Sequence, residues 1–223
     1  MIIKMKKLIC LCCFLILFAG IIQAQSLKPL NIALPQSMFV GTPQNFKIDN
    51  LEKPLGHLRP PFLAPEGTIN AALKKLIKSS DDEPIIGEIE LINDGDKEAS
   101  EGSFIELGPG QQNITIDLKG RYVIYAIIVW HFHQSARVYK DVVVQVSDDP
   151  DFVVGVSTVF NNDMDNSLGL GVGNNLHYVE TNEGKLIDSK GVEGRYVRLY
   201  SNGNTFNDLN HYIEVEIYGK PVN

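Results

Sequence analysis

Cysteine is nearly absent from this 223-residue chain: its three copies, Cys10, Cys12 and Cys13, all fall within the first 13 positions. The rest of the sequence therefore offers no thiol nucleophile, no disulfide and no cysteine metal ligand. Basic residues are also scarce, 20 Lys and Arg against 27 Asp and Glu, and they are scattered rather than striped. Binding to a phosphate backbone rests on clustered Lys and Arg, so nucleic acid is a poor partner, and so is an anionic membrane surface. No apolar run reaches the roughly 20 residues that a spanning helix needs. Catalytic signatures are missing as well. There is no Gly-x-Ser-x-Gly elbow and no His-Glu-x-x-His pair. Carboxylates are plentiful, but a sequence does not give the separation that glycosidase chemistry requires.

What is present begins with a targeting pattern over residues 1–24. Lys4, Lys6 and Lys7 precede an uncharged run of 15 residues from Leu8 to Ile22, and Ile22-Gln23-Ala24 places a small residue before Gln25. The expectation is a cleaved signal peptide and a secreted or periplasmic protein. Cys10 comes too early for a lipoprotein anchor, and Cys12 and Cys13 lack the small residues that should precede one. Cleavage removes three lysines, leaving 17 basic residues against 27 acidic ones, a net of −10. A secreted domain without disulfides fits a bacterial-type envelope.

Residues 25–66 read as an extended arm. Pro29, Pro35, Pro43, Pro54, Pro60, Pro61 and Pro65 withhold backbone donors and fix φ, so neither helix nor central strand is expected. Leu34, Met38, Phe39, Val40, Phe46, Phe62 and Leu63 make the segment more apolar than a linker, which predicts that much of it lies against the domain. From residue 67 to 223 the pattern changes to short alternating runs. Asn70 to Lys75 suits either a short helix or an opening strand, and Ile85 to Ile92 is a short apolar run. Asn113 to Leu118 alternates cleanly. Tyr122 to His133, Val138 to Ser147 and Phe152 to Phe160 follow as strands, with Ser147-Asp148-Asp149-Pro150-Asp151 as a turn. Two alternating runs joined by an Asn/Gly/Asp-rich loop, residues 201–210, close the chain as a hairpin. Many short strands at near-regular spacing predict an all-β antiparallel sandwich.

Five pieces in order carry a resemblance. They are Asn93-Asp94-Gly95-Asp96; Thr115-Ile116-Asp117-Leu118; Ile124 to His131; Asp141-Val142-Val143-Val144-Gln145-Val146-Ser147-Asp148-Asp149; and Arg195-Tyr196-Val197-Arg198 with Glu214-Val215-Glu216-Ile217-Tyr218-Gly219. Together they resemble the discoidin-like, coagulation factor V/VIII C-type domains of the galactose-binding-like superfamily, and are similar to carbohydrate-binding module family 32. The resemblance spans residues 67–220 and implies a β-sandwich jelly roll that binds through its loops. It also makes Asn70 to Lys75 the opening strand. Two departures stand out. Ser100 to Phe104 lacks the family's Trp, and Gly110 to Asn113 lacks its aromatics, so Phe104 and Trp130 are expected to fill the core instead.

The resemblance also implies two sites. The first is a structural Ca²⁺ held by Asp94, Asp96, Ser100 and Glu214, an oxygen set of the kind that ion prefers. The second is a sugar site built from His133, Gln134 and Arg137 after one strand and from Asn202, Asn204 and Phe206 in the last hairpin loop. There, amides read hydroxyls and a ring faces sugar C–H groups.

Other constellations fail on chemistry. Counted from Asp163, the EF-hand glycine and glutamate positions hold Leu168 and Asn174. Gly169-Leu170-Gly171-Val172-Gly173 lacks the strand and helix of a phosphate loop. His131 and His133 share a strand face but have no third ligand nearby. The leading expectation is an exported, non-catalytic carbohydrate-binding module. The alternatives are a protein-interaction or envelope-assembly domain, using the same loops or the arm, and an accessory subunit of a glycan-processing enzyme.

Overall fold

A computed structural model describes residues 25–39 and 47–222. The targeting segment, the three cysteines, Val40, Pro43 and Phe46 lie outside the described residues. The chain is all-β, with eleven strands described: β1 (Leu27–Pro29), β2 (Leu63–Pro65), β3 (Ile69–Asn70), β4 (Leu76–Ser79), β5 (Ile105–Leu107), β6 (Gln112–Trp130), β7 (Val143–Ser147), β8 (Ser157–Asn161), β9 (Lys185–Ser201), β10 (Asn210–Tyr212) and β11 (Glu214–Pro221). One 3₁₀ turn, Ile89–Asn93, occupies the apolar run before the Asp-Gly-Asp loop. Every pairing between these strands is antiparallel, and one isolated parallel bridge joins Leu51 to His177.

β6 and β9 are long enough to serve two layers. The first half of β6 pairs β4 (Leu76↔Asp117), and its second half pairs β11 (Glu214↔Trp130). Between them the register against β9 shifts at Asp117/Tyr122, and Lys119 adopts φ +63°. β9 turns at Lys190 and Gly191, with φ of 53° and 75°, and its second half pairs β7. Bulges of this kind bend a strand and redirect its partners. Alternation then sends Ile114, Ile116 and Leu118 from one half, and Ile127 and Val129 from the other, into one core with Val144, Val146, Val197, Leu199, Val215 and Ile217.

The second half of β6 is buried on both faces. Ala126, Ile128 and Trp130 form a second cluster with Ile213 and Tyr218, and Leu30, Ile32, Phe62, Phe104 and Leu186 pack onto it. Residues of the Pro-rich arm thus cover the outside of the sheet. β1 pairs β2, Asn182 Nδ2 donates to Pro35 O (2.9 Å), and Arg59 donates to the carbonyls of Gly184 (2.8 Å) and Glu183 (3.0 Å). Trp130 and Phe104, expected to fill the core, pack in this outer layer. Trp130 Nε1 donates to Asn182 O at 3.0 Å, which satisfies its polar edge.

Local differences from the sequence reading have simple causes. Asn70 to Lys75 is a strand end and a turn, with Lys74 at φ +54°. β6 stops at Trp130, so His131 and His133 lie in the following loop. The strand expected over Phe152 to Phe160 is β8, which starts at Ser157, because Asp149 first captures the N–H groups of Asp151, Val153 and Val154.

Candidate binding end of the sandwich

After Trp130 the chain crosses the end of the sandwich and returns beside the last hairpin loop. The loop is fixed from within. Asn204 Oδ1 accepts the N–H of Phe206 (2.9 Å) and of Asn207 (3.3 Å), and its Nδ2 donates to Asn207 Oδ1 (2.7 Å) and Leu209 O (2.9 Å). Thr205 N donates to Val138 O at 2.9 Å, and Val138 N donates back to Thr205 Oγ1 at 3.1 Å. These bonds hold Phe206 outward, 76 % exposed.

Beneath Phe206 lies Arg137. Its guanidinium carbon sits 4.9 Å from the Phe206 ring centre and 4.6 Å from that of Phe132, with Phe104 edge-on to Phe132 at 5.0 Å. Arg137 is buried, donates to Ser135 Oγ at 2.9 Å, and leaves Nε without a protein partner. Gln134 is exposed beside it. Asn202 donates through Nδ2 to Asp141 Oδ2 at 3.0 Å. His133 is 1 % exposed and its Nε2 bonds Lys97 O at 2.9 Å, so it stands behind the surface. Asn204 is likewise committed to its own loop. The structure therefore brings Arg137, Phe206 and Gln134 to one end, with Asn202 held by Asp141, while His133 and Asn204 support them.

Three residues that sequence reasoning missed underlie this end. His211 Nε2 meets Glu106 Oε2 at 2.7 Å, and Tyr139 OH bonds His211 Nδ1 at 3.0 Å. Burial, with Arg137 and His131 nearby, pushes the His211 imidazole down to about 3. The neutral ring then donates Nε2–H to Glu106 and accepts the Tyr139 hydroxyl at Nδ1. Burial raises the Glu106 carboxyl, opposed by Arg137, and raises the Tyr139 phenol strongly. The available signal was the register that sets His211 opposite Glu106 on β10 and β5. A sequence of such short strands does not reveal that pairing.

The Asp-Gly-Asp loop lies against β11. Gly95 N donates to Glu214 Oε2 at 3.1 Å, Asp94 Oδ1 accepts Asp96 N at 2.8 Å, and Asp96 Oδ2 accepts Ser103 Oγ at 2.8 Å. Ser100 Oγ is 3.1 Å from Ser103 Oγ. Glu214 is fully buried, and its Oε1 has no partner. Burial, reinforced by Glu216 and Asp94, raises its carboxyl to about 9. A buried carboxyl with one oxygen unpartnered, set against an acidic loop, offers the kind of oxygen donor that a hard divalent cation takes. Among the described residues, the carboxylate oxygens that gather within 4.8 Å belong instead to Asp141, Asp163 and Asp165. Those three are already engaged by Ser167, Leu168 and Asn202.

Two clefts border the arm. One, of about 570 Å³, runs between Phe39, Leu55, Leu58 and Arg59 on the arm and Tyr178 and Lys185 on the sheet. The other, of about 400 Å³, lies between Lys28, Leu30 and Tyr218. Neither is lined by Arg137 or Phe206.

No family model and no curated protein matches the sequence. Solved structures do resemble the chain in shape. Chitosan-binding module 1 from a chitosanase/glucanase of Paenibacillus sp. IK-5 is 19 % identical, covering 68 % of this chain and 99 % of its own, with a TM-score of 0.45. The family 32 carbohydrate-binding module of AlyQ, in complex with 4,5-unsaturated mannuronic acid, is 18 % identical over 64 % of this chain and 92 % of its own, with a TM-score of 0.48. A Streptococcus pneumoniae fucose-binding module, SpX-3, is 19 % identical over 67 % of this chain and 97 % of its own, with a TM-score of 0.47.

Proposed function

We propose that this chain is an exported, non-catalytic module that binds carbohydrate at the end of the sandwich formed by residues 134–137 and 201–210. The observation that carries the reading is Phe206, a ring 76 % exposed on a loop pinned by Asn204 and backed by Arg137. The ring rests on Arg137 with one side and leaves the rest of its surface open, and a flat apolar face suits the C–H side of a pyranose. Gln134 and Ser135, on the loop that carries Arg137, and Asn202, on the loop that carries Phe206, supply polar groups that suit hydroxyls. Asp94, Asp96, Ser100 and Glu214 would hold a structural Ca²⁺, and the unpartnered Glu214 Oε1 supports that assignment. The ion supplies positive charge that ties the loop to β11. A glycan array tests the main reading. Wild type should bind a restricted set of glycans, and Phe206→Ala should weaken that binding at least ten-fold without lowering the melting temperature. Equal binding by both proteins, or no glycan bound by the wild type, would overturn it.

The cleft under the arm favours a second reading, a protein-interaction or envelope-assembly role through that surface. Its mixed lining of Leu55, Leu58, Tyr178, Arg59 and Lys185 suits a peptide better than a sugar. Pull-down from envelope extracts with wild type and Leu58→Glu separates the two, since only this second reading predicts a partner lost in the variant.

A further inference from the structure

The Asp-Gly-Asp loop and the proposed glycan end are joined by a short path of contacts. Lys97, three residues after Asp94, has two attachments. Its Nζ pairs with Glu216 Oε1 at 2.9 Å and lies 5.4 Å from the Trp130 ring centre, and its carbonyl accepts a bond from His133 Nε2 at 2.9 Å. His133 is buried, and its other ring nitrogen has no protein partner, so the Lys97 carbonyl is the polar contact that sets its orientation. His133 follows Phe132, whose ring stacks on Arg137, and Arg137 in turn lies under Phe206. On the other side of Lys97, Gly95 N is bonded to Glu214 Oε2. Each step is a direct contact or a peptide bond.

From this geometry we infer that His133 is a positioning residue, which links the order of the 94–103 loop to the order of the 132–137 loop. A cation held by Asp94, Asp96, Ser100 and Glu214 would fix the Lys97 carbonyl, and through His133 would hold the Phe132–Arg137 stack beneath Phe206. Coupling of this kind is reciprocal, so a glycan that orders the same stack would tighten cation binding by the same factor. The inference rests on the cation and glycan readings proposed above. It moves His133 from a direct sugar contact to a lever behind the site.

Amide hydrogen exchange of the full protein, in EDTA and in millimolar CaCl₂, tests the link without any glycan. In the wild type, calcium should slow exchange about ten-fold in residues 94–103 and several-fold in 132–137. His133→Leu and His133→Asn, which lose the bond to the Lys97 carbonyl, should keep the first effect and lose the second. His133→Gln, which retains a side-chain N–H of similar reach, should restore it in part. A calcium response confined to 94–103 in the wild type, or one that persists at 132–137 in both loss variants, overturns this inference and leaves the cation reading standing. No response in either segment overturns the cation reading and the inference with it.

Discussion

Replacing Glu214 by glutamine separates a cation ligand from an ordinary buried acid. The carboxyl is fully buried, accepts one N–H from Gly95 and sits near 9, against 4.5 for the ordinary group. In metal-free protein at pH 7 the unfolded chain has released this proton and the folded chain retains it. The roughly 2.5 pH units between 4.5 and 7, at about 1.36 kcal/mol each, make the cost about 3 kcal/mol. The folded state binds the extra proton, so the contribution of this one group is most favourable below pH 4.5 and declines as pH rises toward 9. Glu214→Gln keeps the acceptor for Gly95 and carries no charge. In urea unfolding with EDTA between pH 5 and 8, the wild type should lose about 1.4 kcal/mol per pH unit more than the variant. Millimolar CaCl₂ should flatten the wild-type slope, raise its stability and leave the variant unchanged. Parallel slopes in EDTA would refute the buried-carboxyl reasoning. An equal calcium gain in both proteins would place the ion elsewhere.

Other perturbations probe the frame around the site. Arg195 grips Asp117 at 2.8 and 2.9 Å and holds its carboxyl well below the usual range, so this pair stabilises the fold above pH 4 and the contribution is lost as pH falls. Arg195 is 41 % exposed, so Asp117→Asn should cost only about 1 kcal/mol at pH 7, read by urea unfolding, and less at pH 3. Gly184→Ala should destabilise by about 2 kcal/mol, because φ there is +62° and a Cβ would come within 2.7 Å of the Trp130 ring. A melting temperature equal to wild type would show that the ring yields. Phe62→Ala should uncover part of the only tryptophan, giving a red-shifted emission and a loss of about 1–2 kcal/mol. Unshifted emission would mean that the arm does not shield it.

The strand pattern was legible because alternation in Asn113 to Leu118 and in the last hairpin marks the side chains that enter the core, but the burial of the alternate residues Glu214 and Glu216 was not. Neither was the register. A period-two pattern marks which residues face inward but says nothing about partners 80 or more positions away, so the Glu106–His211 pair stayed hidden. Phe206 could be singled out from its place in an Asn-rich loop, and its exposure follows from that loop. The roles of His133 and Asn204 depend on hydrogen bonds to Lys97, Asn207 and Leu209, which side-chain type alone does not specify. The acidic group of Asp141, Asp163 and Asp165 was half visible. Asp163 and Asp165 fall within the segment rejected as an EF-hand, whereas Asp141 joins them only through the β7–β8 layout.

The long strands have a consequence for how the chain acquires its structure. β6 finds its neighbours in β9 and β11, near the end of the sequence, and Ile217 N is bonded to Asn70 Oδ1 across 147 positions. Nearly every inward side chain of β6 therefore depends on partners many tens of positions away along the chain. Contacts this distant fold slowly, since a long loop must close before they form. Until β9 and β11 pair with it, β6 lacks the partners that complete its core.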